Sequence, residues 1–168
     1  MTPEEMVAAA LEVAREGLNA GELPIGAVVM MGEEVVGRAF TQDRAQRRML
    51  AHADLAALVQ ADELLRWERR AHPLRMAVNL EPCVMCLGAV MSLGVAEVYY
   101  GLESPADGAA RIAQTWDPGN NDLPGYGAPL VVGGILRHES RELFREFCES
   151  APESGVRRWA RTLVDLPD

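Results

Sequence analysis

The segment MAVNLEPCVMCLGAVMSLGVAEVYYG, residues 76–101, decides the fold. It begins with a short strand-like run at 76–80, continues as a helical stretch that begins at Pro82 and stops at Gly94, and ends with a second strand-like run at 96–101. Proline suits the first turn of a helix, and glycine suits its end. A strand, a helix and a second strand in this order predict parallel strands joined by a crossover helix.

The sequence before this segment adds a helix, a hairpin and a second crossover helix. Thr2, Pro3 and Glu5 form the start of an N-terminal helix whose apolar residues continue at helical spacing to Leu18. Two strand-like runs at 25–31 and 35–40 are separated by a Gly-Glu-Glu turn, and a polar stretch at 41–50 leads into an alanine- and leucine-rich helix. This alternation predicts an α/β protein: a three-layer α/β/α sandwich with a mixed five-stranded sheet.

The rest of the chain predicts a long loop, a last strand and two terminal helices. The loop covers 104–129 with a helical turn near Ala109, the strand lies within 130–136, and the helices cover 139–148 and 156–164. Loops of this length are usually functional, so Trp116 and Tyr126 either cover a flat ligand or pack within the loop. We find no linker between domains, so residues 1–168 are predicted to form a single domain.

Composition excludes several classes of function. The 16 basic residues are all arginine, which excludes a Schiff-base or P-loop lysine. Against 25 acidic residues they leave a formal charge of -9, and this charge repels nucleic-acid backbones at long range. No apolar run approaches the roughly 20 residues that cross a bilayer, and the acidic N-terminal segment is unlike a signal peptide, so a cytoplasmic protein with no membrane partner is predicted.

Two cysteines and one histidine form a candidate metal site. Cys83 and Cys86 lie three residues apart at the start of a helix, where they share a face and the exposed amides favour thiolates. His52, at the start of the preceding helix, can complete a three-ligand set that leaves zinc an open position for water, as catalytic zinc requires. Two alternatives are a Cys-x-x-Cys redox pair and a closed structural zinc that takes a fourth ligand from Cys148, His72 or His138.

The order of these motifs resembles a known family. A His-x-acid motif at 52–54 followed by Pro-Cys-x-x-Cys at 82–86 is similar to the signature of zinc-dependent nucleobase deaminases, the cytidine/deoxycytidylate deaminase superfamily. The stretches LPIGAVV at 23–29, LEPCVMCLGAVM at 80–91 and VYYG at 98–101 resemble the tRNA adenosine deaminase and nucleoside deaminase branch, from about Met6 to Phe147. The fold implied by this resemblance is cytidine deaminase-like.

The resemblance also implies a reaction. His52, Cys83 and Cys86 match the zinc ligands, and hydrolytic deamination with release of ammonia is the expected chemistry. The position that shuttles protons holds Asp54, where the family has glutamate, and aspartate is shorter by one methylene, roughly 1.5 Å. Asp54 is therefore the candidate catalytic acid/base, and a zinc-binding subunit that is catalytically impaired is the alternative.

Substrate recognition is expected to differ from that of the tRNA branch. The branch has an asparagine after the second hairpin strand, where this chain has Thr41 and Gln42, and it has an acidic residue near the position of Ser104. We expect five residues to contact substrate: Thr41, Gln42, Ala53, Glu81 and Pro82.

With the acidic charge balance, these departures favour a free amino-purine or a related nucleobase or nucleoside. A tRNA wobble adenosine deaminase is the alternative. Two arginine groups could form a local phosphate-binding surface with Trp159 as a stacking platform, although solvated faces are the default for such groups. The groups are Arg44, Arg47 and Arg48, and Arg157, Arg158 and Arg161. The family resemblance implies a homodimer or larger homo-oligomer.

Overall fold

A computed structural model describes residues 1–119 and 126–168. Its strands form one sheet in the order β2-β1-β3-β4-β5. β1 pairs antiparallel with both β2 and β3, whereas β3–β4 and β4–β5 are parallel, so the sheet is mixed. The strand bounds are β1 Gly26–Met31, β2 Glu34–Phe40, β3 Leu74–Leu80, β4 Val95–Leu102 and β5 Leu130–Val132.

The helices lie on both faces of this sheet. In the described part of the chain their bounds are α1 Pro3–Asn19, α2 Asp43–Gln46, α3 Ala53–Leu65, α4 Val84–Leu93, α5 Ala110–Thr115, α6 Arg137–Ser150 and α7 Gly155–Val164. Thr2 and Glu5 form a capping box at the start of α1, and α4 ends at Gly94, whose left-handed φ of 67° suits glycine. Among the described residues, we find no helix both long and apolar enough to span a membrane.

Alternate residues of the central strands face different helix layers. Ala27 and Val29 of β1 pack in the cluster that contains α3 and α4, whereas Val28 and Met30 pack against α1. A third cluster joins the carboxyl ends of β3 and β4 to α6 and α7. The predicted class, a three-layer α/β/α sandwich with a mixed five-stranded sheet, is confirmed.

Two glycines let helices approach the sheet closely. A Cβ atom at Gly26 would lie 2.3 Å from the backbone nitrogen of Ala14 in α1, and one at Gly37 would lie 2.0 Å from the carbonyl oxygen of Ala57 in α3. Real Cβ atoms essentially never come this close to backbone. Glycine at position 37 therefore sets the distance between β2 and α3.

Local detail differs from the sequence prediction in three places. The polar stretch before α3 contains a short helix, α2, where only a loop was predicted. The predicted helical turn near Ala109 is the six-residue helix α5, and the last strand covers three residues rather than seven. Residues 120–125 of the predicted long loop lie outside the described residues.

Candidate metal centre and its cavity

The three candidate ligands stand at the starts of two helices. His52 is the N-cap residue of α3, and Cys83 is the N-cap residue of α4, with Cys86 in the first turn of that helix. α4 follows directly after β3 and connects it to β4. The crossover helix predicted from residues 76–101 therefore positions both cysteines. His52 Nδ1 lies 3.7 Å from Sγ of Cys83 and 3.7 Å from Sγ of Cys86.

This donor set fits zinc. The three ligand atoms lie within 4.8 Å of one another. With zinc bonds of about 2.0 Å to nitrogen and about 2.3 Å to sulfur, a tetrahedral site separates those two ligand atoms by about 3.5 Å. The observed separations of 3.7 Å are close to that value, so Nδ1 of His52 is the ring nitrogen placed to bind zinc together with the two thiols. Three protein ligands leave one tetrahedral position for another group.

The pKa values of the two cysteine thiols are shifted in opposite directions. Hydrogen bonds from Cys86 and His52 lower the pKa of the Cys83 thiol to about 4, whereas the pKa of the Cys86 thiol is raised by its hydrogen bond to Cys83 and by burial. The Cys83 contact likewise raises the pKa of His52. The lowered pKa favours the thiolate form of Cys83, and thiolates are the form that binds metal.

Asp54 lies beside these ligands in the first turn of α3. Its side chain lines the same cavity as His52 and Cys83, and the residue is only 4% exposed. Burial raises the pKa of its carboxyl group, because the ionised form loses hydration. A carboxyl group in this place can exchange a proton with a molecule held in the cavity.

The cavity next to the ligands is small and acidic. Its volume is about 180 Å³. Its lining residues are Leu23, Ile25, Thr41, Asp43, His52, Asp54, Leu80, Glu81, Cys83, Asp107 and Trp159. Four of them are carboxylic acids, and no arginine of the described ranges is among them.

Two of the predicted substrate contacts line this cavity and also hold its walls. The Glu81 carboxylate accepts hydrogen bonds from the backbone nitrogens of Ser104 (3.0 Å) and Ala110 (2.9 Å). Thr41, which is 3% exposed, accepts a 3.2 Å hydrogen bond from the backbone nitrogen of Ala53 through its hydroxyl. Glu81 thus fixes the segment after β4, and Thr41 fixes the start of α3.

The other three predicted substrate contacts lie elsewhere. The Gln42 side chain accepts a hydrogen bond from Gln46 and lines a separate depression beside α3. Ala53 is fully buried in the core, and Pro82 lines a small apolar cavity beneath α4. None of these three is among the residues that line the cavity next to the metal ligands.

Sequence reasoning missed the apolar lining residues Leu23, Ile25 and Leu80 and two of the four acids, Asp43 and Asp107. Asp107 lines the cavity, and its Oδ1 accepts a 2.5 Å hydrogen bond from the hydroxyl of Ser104. The sequence around Asp107 contains no motif that would indicate this position. Asp107 reaches the cavity because Glu81, which is distant in sequence, binds the backbone on both sides of it, at Ser104 and Ala110. Trp116 and Tyr126 form an edge-to-face pair with ring centroids 6.2 Å apart, and neither lines this cavity.

Trp159 is separated from the arginines that surround it in sequence. Its ring lines the metal cavity, whereas Arg157, Arg158 and Arg161 line a different depression together with Glu153. On α7, the indole and these three guanidinium groups therefore do not line one common surface, as the predicted phosphate-binding surface would require.

Comparison with known proteins identifies the family. The model of the family described as the cytidine and deoxycytidylate deaminase zinc-binding region matches residues 1–102. The chain belongs to this family of zinc-binding deaminases, and the predicted resemblance and zinc cofactor are confirmed.

Similar proteins include tRNA deaminases and a guanine deaminase. The tRNA-specific adenosine deaminase of Agrobacterium fabrum is 33% identical over 138 residues, which cover 82% of this chain and 88% of that protein. A solved structure from a study of A-to-I editing by tRNA:A34 deaminases has a TM-score of 0.68 and 32% identity, and the match covers 83% of this chain and 98% of that one. A guanine deaminase from Nitrosomonas europaea has a TM-score of 0.68 and 25% identity, with 87% and 84% of the two chains covered.

Proposed function

We propose that this protein is a hydrolytic deaminase that converts a free amino-purine, or a related nucleobase or nucleoside, to the oxo compound and ammonia. The observation that carries the proposal is the meeting of the three ligands with the buried carboxyl group of Asp54 at one small cavity. Family membership supports the same chemistry.

The reaction replaces one carbon–nitrogen bond by a carbon–oxygen bond, with water as the only co-reactant. Zinc held by His52, Cys83 and Cys86 supplies Lewis-acid activation of water. Asp54 takes one proton from the attacking water and gives it to the ring nitrogen. It then takes the second proton, from the hydroxyl group that has been added to the ring carbon, and gives it to the amine, which leaves as ammonia while the carbon–oxygen double bond forms. The apolar residues Leu23, Ile25 and Leu80 exclude bulk solvent from one side of the cavity.

Size and charge support a free compound as substrate. Pockets for drug-sized ligands measure about 300–1,000 Å³, so 180 Å³ suits a single flat heterocycle. Asp43 and Asp107 place negative charge at the cavity, which disfavours a phosphate nearby and favours ring N–H and amino groups as hydrogen-bond donors. The guanine deaminase similarity is consistent with such a substrate.

A tRNA adenosine deaminase is the second candidate. The identity of 33% with a tRNA-specific adenosine deaminase over most of both chains favours it. A nucleic acid would insert only its flipped base into the cavity, so cavity size is compatible with this reading too. The formal charge of -9 and the acidic cavity argue against RNA.

The proposal includes a cytoplasmic homodimer. Cys83 and Cys86 must stay reduced to bind metal, which suits the cytoplasm. Leu50 (58% exposed), in the segment before α3, and Val59 (47% exposed), on the outer side of α3, line one depression, and Val59 lines a second one beside it. An exposed apolar face of this kind suits a second copy of the chain. Val59→Arg is expected to convert the dimer to monomers in light-scattering measurements, and an unchanged mass would contradict the homodimer.

Ammonia release tests the function. The zinc-loaded protein is assayed with adenine, guanine, cytosine, their nucleosides and an anticodon stem-loop RNA, with His52→Ala and Asp54→Asn as controls. We expect release from at least one free compound and none from either variant. Release from the RNA alone would establish the tRNA activity instead, and zinc binding with no release from any compound would favour the catalytically impaired subunit.

A further inference from the structure

We propose that α7 is part of the substrate site and that Trp159 is the wall against which the heterocycle stacks. This inference rests on the proposed function and names the contact that holds the flat ring. Trp159 lines the cavity together with His52, Asp54 and Cys83, although it lies 76 residues beyond the last of these in sequence.

The rotational setting of α7 aims the indole at the cavity. Ala160 and Leu163 are at most 1% exposed, so they fix the face of α7 that packs on the protein. The Ser154 hydroxyl caps the helix by accepting from Arg157 N, and Arg157 Nε donates a 2.7 Å hydrogen bond to the carbonyl of Cys148 at the end of α6. These contacts leave α7 little freedom to rotate.

Core side chains also contact the Trp159 ring. It meets the ring of Phe144 edge to face, with centroids 6.2 Å apart and an interplanar angle of 84°. It packs against the core cluster that contains Leu23 and Leu80, which themselves line the cavity. A rigid aromatic ring with one side on the core and another on the cavity is a pre-formed stacking surface, and every nucleobase has a π-face to place on it.

Charge complements this arrangement. Asp43 and Asp107 place carboxylates at the cavity. A carboxylate can accept hydrogen bonds from N–H groups at the edge of a ring, but it does not stack on the face of that ring. Among the described residues that line the cavity, Trp159 is the only tryptophan, tyrosine or phenylalanine, and the imidazole of His52 is the other aromatic ring. The indole is therefore the largest aromatic surface that the cavity offers to a flat substrate.

The test separates binding from turnover. In a background of Trp67→Phe and Trp116→Phe, Trp159 is the single tryptophan of the chain, and its fluorescence reports on a ring placed against it. The probes are guanine, adenine and the oxo-purines hypoxanthine and xanthine, which have no amine to lose. We expect saturable quenching by at least one of them in the zinc-loaded protein.

Variants of Trp159 then measure the contribution of stacking. Trp159→Leu is expected to raise the dissociation constant and the KM of a bound purine by about 5- to 150-fold, with kcat and zinc content little changed. Trp159→Phe is expected to restore most of the affinity, because it keeps an aromatic face and the contact with Phe144. Trp116→Leu is the matched control, since Trp116 does not line the cavity.

The outcomes distinguish the inference from the proposed function. Dissociation constants from calorimetry that change no more in Trp159→Leu than in Trp116→Leu would overturn the stacking role, as would a failure of every probe to bind or quench. Quenching and weakened binding without any deamination would support the role of Trp159 while the proposed function fails. Circular dichroism and melting temperature establish that each variant is folded.

Discussion

Replacing Gly37 by alanine is expected to disturb the metal centre from a distance. The new Cβ would lie 2.0 Å from the carbonyl oxygen of Ala57, about 1.4 Å short of ordinary van der Waals contact at 3.4 Å. The atom it meets is backbone, so relief requires α3 to move away from β2. His52 caps that helix and Asp54 lies in its first turn, so both would move relative to Cys83.

The size of the effect follows from the geometry. A shift of about 1 Å is large beside the 3.7 Å that separates His52 Nδ1 from the two sulfur atoms. Displacements of this size typically cost about a hundredfold in turnover, and disturbed support of metal ligands costs about 10- to 100-fold in metal affinity. Overpacking should also lower the free energy of unfolding by roughly 1–3 kcal/mol.

The assay compares zinc affinity and stability in two variants. Zinc affinity is measured at pH 7 by competition with a chromophoric chelator, and stability by thermal unfolding of the zinc-free protein. Gly127→Ala is the control, because its Cβ would meet no described atom within 4 Å. If Gly37→Ala bound zinc as tightly as Gly127→Ala and melted at the same temperature, the reasoning that Gly37 sets the position of α3 would be refuted.

Three further predictions concern single side chains. Asp54→Glu extends the carboxyl group by roughly 1.5 Å and is expected to lower turnover by about a hundredfold; a gain of orders of magnitude would show that Asp54 is a poor proton shuttle. Asn79→Ala removes the fully buried amide that accepts a 2.9 Å hydrogen bond from the backbone nitrogen of Gly26 at the start of β1 and donates one of 2.8 Å to the carbonyl of Pro24. Denaturant unfolding should therefore show a loss of roughly 2–5 kcal/mol. A loss below about 1 kcal/mol would contradict that account. Arg137 lowers the pKa of the Glu103 carboxyl through their ion pair, so the pair stabilises the fold above the unfolded pKa of about 4.3 and loses that effect as pH falls further. Arg137→Gln should thus destabilise by about 1 kcal/mol at pH 7, since both groups are partly solvated, and chemical unfolding at pH 3 should find the difference reduced; an equal difference at both pH values would count against the ion pair.

The metal ligands could be predicted because their signals are local. Cys83 and Cys86 share a helix turn, and His52 precedes them by one crossover unit, so spacing and the α/β alternation together bring the three side chains to one edge of the sheet. The sheet itself was predictable for the same reason, since each strand is a short apolar run bounded by turn residues.

The rest of the cavity depends on contacts that the sequence does not reveal. Glu81 was expected to contact substrate, yet its carboxylate holds the backbone of Ser104 and Ala110. That role needs a loop 23 to 29 residues away in sequence, whose conformation no periodicity encodes. Asp107 comes to the cavity on this loop, and Trp159 comes to it on a helix that packs through the third core cluster.

The parts of the chain that line the cavity determine which substitutions would change substrate specificity. Residues 52–86 contribute the three candidate ligands and Asp54, while Trp159 belongs to the last described helix, which contacts the rest mainly through α6. Under the roles proposed above for Asp54 and Trp159, substitutions in α7 would alter which compound is accepted while the reactive centre stays intact. Chemistry and selectivity would then reside on separable parts of the chain, and α7 would be the segment to exchange when designing a deaminase with a new substrate.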